Sequence, residues 1–402
     1  MAEPGALPVR RERAVEPAGL ATAPPLSLYV HFPWCVRKCP YCDFNSHAPR
    51  GEIPEAAYLD ALMEDLDRSL PAIAGRPVET VFLGGGTPSL ITAPGIDTLL
   101  RALRSRLPLA PQAEITMEAN PGTVSPGYLA ACREAGVTRI SLGVQSFDDE
   151  SLARIGRIHD AREAREAIDA AAAHFDAVNI DLMYGLPGQS VEAAARDFEI
   201  AAACGVGHVS AYQLGIEPNT AFGREPPATP DEDACAAMQA LAESRFAAAG
   251  LARYEVSAFA REGSRCRHNL NYWRFGDYLG IGAGAHGKLS SRRGIVRELR
   301  VMHPRHYLAR AGRDGFVQRR QRVSRAGLAF EFMMNALRLV GGVEAELFAA
   351  RTGLALAEIE PVLELARARG LIEDAPGRIS ASALGLRFLN DTLQLFLPAA
   401  AA

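Results

Sequence analysis

Short apolar runs alternate with amphipathic stretches from residue 27 to about residue 250. The apolar runs are Ser27–Phe32, Thr80–Gly84, Glu114–Glu118, Arg139–Gln145, Ala177–Tyr184 and His208–Leu214. Each is Val-, Ile- or Leu-rich over most of its length, as strands covered on both faces are. Between them, Pro54–Leu70, Gly95–Ser105, Pro126–Ala135, Ala161–Ala173 and Val191–Cys204 carry a helical period, and Pro230–Ala249 follows the sixth strand. Strands joined through helices of this length pair in parallel by right-handed crossovers.

Six such units fit a doubly wound sheet or a barrel. The polar residues decide between them. Gly84–Thr87, Glu118–Asn120, Gln145, Asp181 and Gln213 stand at or near the C-terminal ends of successive strands. That distribution is the barrel pattern, whereas a doubly wound sheet gathers its functional residues at one switch point. The expected fold class is therefore α/β, a partial (β/α)6 barrel over residues 27–300, left open on one side for a large ligand.

The texture changes near residue 300. His303–Arg322 is Arg-rich and poorly periodic, and reads as a connector. Ala326–Leu339, Glu344–Arg351, Ala355–Arg369 and Ala383–Leu395 read as helices, with a short hairpin over Leu371–Ser380. Residues 301–402 are thus expected to form a mostly helical, winged-helix-like domain. Arg367 and Arg369 sit among acidic residues, so a structural or partner-docking role is favoured over nucleic-acid binding. Residues 1–26, rich in Ala, Pro and Arg, read as a disordered tail.

Composition adds exclusions. The chain of 402 residues has 48% hydrophobic and 22% charged residues, with a formal net charge of −4, which argues against a broad nucleic-acid-coating or membrane-coating surface. No apolar run approaches the roughly 18 residues of a membrane span, and the N-terminus has no hydrophobic signal core. The expected compartment is the cytoplasm.

Three of the seven cysteines fall close together in His31-Phe-Pro-Trp-Cys35-Val-Arg-Lys-Cys39-Pro-Tyr-Cys42. The other four are scattered through apolar or helical stretches, unlike a secreted disulfide framework. Three thiolates from one loop suit a face of an iron–sulfur cluster. Zinc, with His47 as a fourth ligand, is the alternative. The second strand closes in Gly84-Gly85-Gly86-Thr87-Pro88, whose glycines permit close backbone approach and whose N–H groups could meet an anion. Asp181 is a charge inside an apolar strand, costly unless paired or pointed into a site.

C-x3-C-x2-C after a first strand, with a Gly-rich turn after the second, resembles the radical S-adenosylmethionine (SAM) superfamily. The wider set of Tyr-Val-His-Phe-Pro-Trp-Cys, Cys-Asp-Phe-Asn-Ser-His, Gly-Gly-Gly-Thr-Pro-Ser, Glu-Ala-Asn-Pro, Gly-Val-Gln-Ser-Phe and Asp-Leu-Met-Tyr-Gly-Leu-Pro-Gly-Gln resembles the oxygen-independent coproporphyrinogen III oxidase-like family from residue 27 to the C-terminus. The resemblance implies a radical-SAM barrel with a [4Fe–4S] cluster on Cys35, Cys39 and Cys42. It also implies SAM contacts from Tyr29, Tyr41, Gly85, Gly86, Thr87, Glu118, Gln145, Arg157 and Asp181.

Two features separate the branches of that family. The dehydrogenases carry a further Cys two residues after the third ligand, where this chain has Phe44, and they have a longer N-terminal arm. Arg267-His268-Asn269-Leu270-Asn271-Tyr272-Trp273 resembles instead the HemW-type haem chaperone branch. That branch implies haem binding, with His268 as a candidate ligand, and delivery to respiratory haem proteins. An electron donor and a homodimer are further expected partners; nucleic acid is not. The alternative function is oxidative decarboxylation of coproporphyrinogen III. Gly280-Ile-Gly282-Ala-Gly284-Ala-His286 lacks the context of a nucleotide loop and reads as close backbone packing near the barrel end, within reach of the cofactor.

Overall fold

The computed structural model describes residues 20, 22–313 and 315–398. The tail expected over residues 1–26 lies mostly outside them, and its last residue, Leu26, already begins the first strand.

Six strand–helix units run as read from the sequence. They begin with β1 (Leu26–Phe32), α1 (Glu55–Ile73), β2 (Val78–Gly85) and α2 (Ala93–Arg106). They continue through β3 (Leu109–Ala119), α3 (Pro126–Ala135), β4 (Arg139–Gln145), α4 (Asp149–Arg154) and α5 (Ala161–His174). The last are β5 (Ala177–Tyr184), α6 (Val191–Ala203), β6 (His208–Gln213), the short α7 (Ala221–Arg224) and α8 (Glu232–Ala248). The helices start on local signals. Thr92, Ser125, Ser190 and Asp231 each accept a backbone N–H of the first turn, and Asp160 with Glu163 makes a reciprocal capping box. Each such cap stabilises its helix by about 1 kcal/mol.

Strands β1 to β6 pair in parallel in sequence order. Their C-terminal ends therefore share one rim, and the loops that follow them are brought together. This is the expected α/β partial barrel, but the sheet is wider than six strands. Beyond β6 lie β7 (Ala252–Arg253) and β8 (Ala258–Ala260), both antiparallel. After α9 (Arg267–Trp273), β9 (Asp277–Ile281) returns to pair in parallel with β1. β10 (His286–Ser291) and β11 (Gly294–Arg300) extend that edge. After α10 (Pro304–Leu308), β12 (Val317–Arg322) ends the sheet. The twelve strands do not close, since β7 and β12 stand at opposite ends.

The described residues of His303–Arg322, the stretch read as a connector, thus pack with the sheet rather than with the C-terminal helices. β12 pairs with β11, and Val301, Tyr307 and Phe316 are buried in the same core as β1 and α1. The physical anchor is Asp65 of α1. Its carboxylate accepts from Arg300 Nε at 2.9 Å and Tyr307 O–H at 2.8 Å, all three side chains being buried.

A second core gathers α11 (Leu328–Ala336), α12 (Glu346–Thr352) and α13 (Glu360–Ala368) around Phe332, Phe348 and Leu363. β13 (Val343–Glu344) pairs with β14 (Arg378–Ile379), and Ile372 bridges Ala381. The expected last helix is broken at Phe388 into α14 (Ala383–Arg387) and α15 (Leu389–Gln394). This helical unit docks on the barrel edge. The Arg338 guanidinium lies 4.4 Å over the Trp273 ring, Arg297 pairs with Glu331, and Phe275 packs edge-on to Phe332. Among the described residues no helix is long and apolar enough to cross a membrane.

Candidate functional site

A cavity of about 410 Å³ opens at the C-terminal rim of β1–β6. Cys35, Cys39, Cys42 and Tyr41 line it from the loop after β1, and Gly85, Gly86 and Thr87 from the end of β2. Glu118, Gln145, Arg157 and Asp181 complete it from β3, β4, the loop after α4, and β5. Eleven of the thirteen residues singled out by sequence therefore converge. Tyr29 and His268 do not line it.

The cysteine loop is held by backbone pairing. Cys35 N donates to His47 O at 3.1 Å, and His47 N to Pro33 O at 2.8 Å. His47 places its Nε2 on Asn45 Oδ1 at 3.1 Å and its ring beside His303. It does not line the cavity, so it does not join the cysteines as a fourth ligand for zinc. Burial pushes the Cys35 thiol up, opposed by hydrogen bonds with Thr87 and Ser46, and adjacent Cys42 and Cys39 add to the rise. Cys42 is also raised by burial. Metal coordination reverses this balance by holding the thiolate. Arg157 stands at the same end, its Nη1 3.8 Å from Cys39 Sγ and its Nη2 2.5 Å from Gly143 O, while its buried Nε has no partner among the described residues.

The N–H groups of the glycine run, expected to meet an anion, are engaged within the protein, one of them by a carboxylate. Gly86 N donates to Phe32 O and Thr87 N to Trp34 O, each at 2.7 Å, and Gly85 N donates to Glu118 Oε2 at 3.1 Å. These donors are already taken. A Cβ on Gly86 would lie 2.5 Å from the Trp34 carbonyl oxygen. The glycine is there so that the segment entering the cysteine loop can press against β2.

The carboxylates are half-buried at the cavity wall and supported. Glu118 is pushed up to about 8 by burial, with Asp181 adding to the rise and the Gly85 hydrogen bond opposing it. Asp181 accepts from Ser141 Oγ and Asn179 Nδ2, each at 2.8 Å, so its charge is carried by neighbouring strand residues while it faces the cavity. Gln145 has a φ of +73°, a strained conformation for a non-glycine residue, at a register shift between β4 and β5. Tyr212 O–H donates to its Oε1 at 2.8 Å. Sequence reasoning passed over Tyr212, although it lies next to Gln213 at the end of β6.

A second cavity, about 600 Å³, adjoins the first and shares Gly85, Glu118, Asp43 and Phe44 with it. Tyr29, Tyr272, Trp273 and Tyr278 give it aromatic walls, and Met334 and Asn335 of α11 close one side. Phe44, in the place of the dehydrogenases' further cysteine, is 62% exposed at the junction.

His268 does not reach this cavity. It is 1% exposed, with Nδ1 2.8 Å from Thr80 Oγ1 and Nε2 2.8 Å from Tyr272 O–H. Burial lowers its pKa to about 3, so it is neutral and both nitrogens are satisfied. Expected as a haem ligand, His268 here faces neither cavity and its ring positions Tyr272. Asn271 completes the same knot, donating to Ser27 Oγ and to Asp277 O at 2.8 Å each.

The family model of the radical SAM superfamily matches residues 29–200, and that of the HemN C-terminal domain matches residues 323–388. The Heme chaperone HemW of Escherichia coli (strain K12) is 48% identical over 93% of this chain and 98% of its own length. The chain belongs to the HemW family. The Heme chaperone HemW of Bacillus subtilis (strain 168) is 32% identical over 92% of this chain and 99% of its own. Among solved structures, the coproporphyrinogen III oxidase HemN of Escherichia coli superposes with a TM-score of 0.79 at 22% identity, covering 93% of this chain and 90% of that one. That likeness is one of fold. HemW relatives match through both halves of the chain, including the helical unit that walls the second cavity.

Proposed function

We propose that this protein is a haem chaperone that binds haem beside a [4Fe–4S] cluster with SAM and delivers the haem to respiratory haem proteins. The observation that carries the reading is the near-full-length match to proteins named Heme chaperone HemW. The paired cavities give it a physical basis.

Cys35, Cys39 and Cys42 would hold the cluster. When bound, such a cluster offers an iron without a protein ligand for the amino and carboxylate groups of SAM, and one-electron chemistry. The residues fit that use. Three thiols line one cavity beside the Arg157 guanidinium, whose Nη1 stands 3.8 Å from Cys39 Sγ. Glu118, Gln145 and Asp181 present polar atoms along the strand ends for a ribose and an amino acid. Ser141, Asn179 and Tyr212 hold two of them in place. Glu118 also lines the second cavity, so both ligands would meet the same carboxyl group.

The test sets delivery against turnover. Haem-loaded full chain, mixed with the apo form of a b-type respiratory haem protein, is expected to lose haem to it. The cluster-loaded chain, given coproporphyrinogen III, SAM and reductant without oxygen, is expected to form no protoporphyrinogen. Protoporphyrinogen formed together with 5′-deoxyadenosine and carbon dioxide would replace this reading with decarboxylation.

A further inference from the structure

We propose that the second cavity is the haem site and that His286, rather than His268, faces the haem iron; this rests on the haem-chaperone reading above. Two histidines line the cavity, His31 and His286. His31 is buried with both nitrogens used, Nδ1 against Tyr29 O–H and Nε2 against Asn45 O, each at 2.9 Å. His286 is solvent-accessible, and neither of its ring nitrogens has a hydrogen-bond partner among the described residues. A free imidazole at the edge of an aromatic cavity is one of the axial ligands that proteins supply to haem iron.

The Gly-rich stretch before His286 explains how it is placed. A Cβ on Gly282 would lie 2.4 Å from His31 O, one on Gly284 2.2 Å from Asn45 Nδ2, and one on Gly280 2.0 Å from His286 O. Only glycines let this turn sink beneath the cysteine loop, and the turn delivers His286 to the cavity at the start of β10.

The rest of the cavity suits a flat apolar ligand with its charges outside. Its basic groups are already neutralised, Lys288 by Asp277 and Arg297 by Glu331. Haem carboxylates would therefore remain at the open mouth. Met302 and Met334, 45% and 38% exposed at the rim, offer thioethers that can pack on a porphyrin or take the iron's other face.

The experiment titrates ferric haem into cluster-loaded full chain, read as a difference spectrum against the same protein without haem. Wild type is expected to bind saturably with a nitrogen-ligated spectrum. His286→Ala should shift the Soret band and weaken binding, with imidazole in solution restoring both. His286→Cys should give a thiolate-type spectrum. Because His286 is solvent-accessible, these variants leave the core untouched, which a circular dichroism melt verifies. An unchanged Soret band and affinity in His286→Ala, with wild type binding, would overturn this assignment and leave the chaperone reading standing. No saturable binding by wild type would remove both.

Discussion

Asn45 donates its side-chain amide to the Ala283 carbonyl at 2.8 Å, and the same nitrogen reaches the Met302 carbonyl at 2.8 Å. Asn45 lies three residues beyond Cys42, and Ala283 and Met302 flank the strands that carry the second cavity. One side chain thus ties the cysteine loop to the rim of the neighbouring site. Asn45→Ala would leave the buried Ala283 carbonyl unpaired, at a cost of about 1–3 kcal/mol. A lower urea midpoint with faster loss of iron from the loaded protein is expected. An unchanged midpoint would show that the tie carries no stability.

The cysteines are expected to act as one ligand set. Cys39→Ser should reduce iron and acid-labile sulfide to background in anaerobically reconstituted protein while far-ultraviolet circular dichroism stays unchanged. Gly86→Ala should impair cluster loading through the backbone alone, because the added methyl meets the Trp34 carbonyl at the entrance to the loop. Normal iron content in Cys39→Ser would remove that residue from the ligand set.

How far these features were readable from sequence depends on how local their cause is. Six strand–helix units were legible because each strand carries its own apolar run and each helix its own period. The cysteine loop was legible because its spacing is contiguous. β12 was not, since Val317–Arg322 has no buried residue and owes its strand form to pairing with β11. β9 was missed because its partner β1 lies some 250 residues upstream. The surroundings of His268 were not legible for the same reason. Its burial depends on Thr80, 188 residues away, and sequence shows a histidine among aromatics without showing what its nitrogens touch. The second cavity needed α9, β9–β11 and α11 together, and no single motif encodes it.

The buried pair of Arg300 and Asp65 joins β11 to α1, with Ser69 and Tyr307 in the same network. Arg300→Met should destabilise the chain by about 3–5 kcal/mol, because it leaves the Asp65 carboxylate buried without its counter-charge. Urea unfolding measures this. A loss below about 1 kcal/mol would mean that Tyr307 and the Gly282 N–H suffice to hold Asp65.

Acid should weaken the fold through its buried neutral histidines. Burial lowers His268 to about 3 and His31 to about 4. In the unfolded chain each takes a proton near pH 6.5, so between that pH and the folded values the unfolded state binds more protons. Their contribution is complete above pH 6.5 and is lost as pH falls toward 4 and below. His268→Gln should flatten the decline in unfolding midpoint between pH 7 and pH 5. An equal slope in variant and wild type would contradict the burial of a neutral His268.

A haem chaperone must hold haem tightly enough to carry it. The most direct test is an anaerobic titration of haem into cluster-loaded full chain, followed by equilibrium dialysis of the product. Saturable binding at a fixed stoichiometry that survives dialysis is expected. A linear, unsaturable absorbance rise with haem lost on dialysis would contradict the haem-chaperone reading.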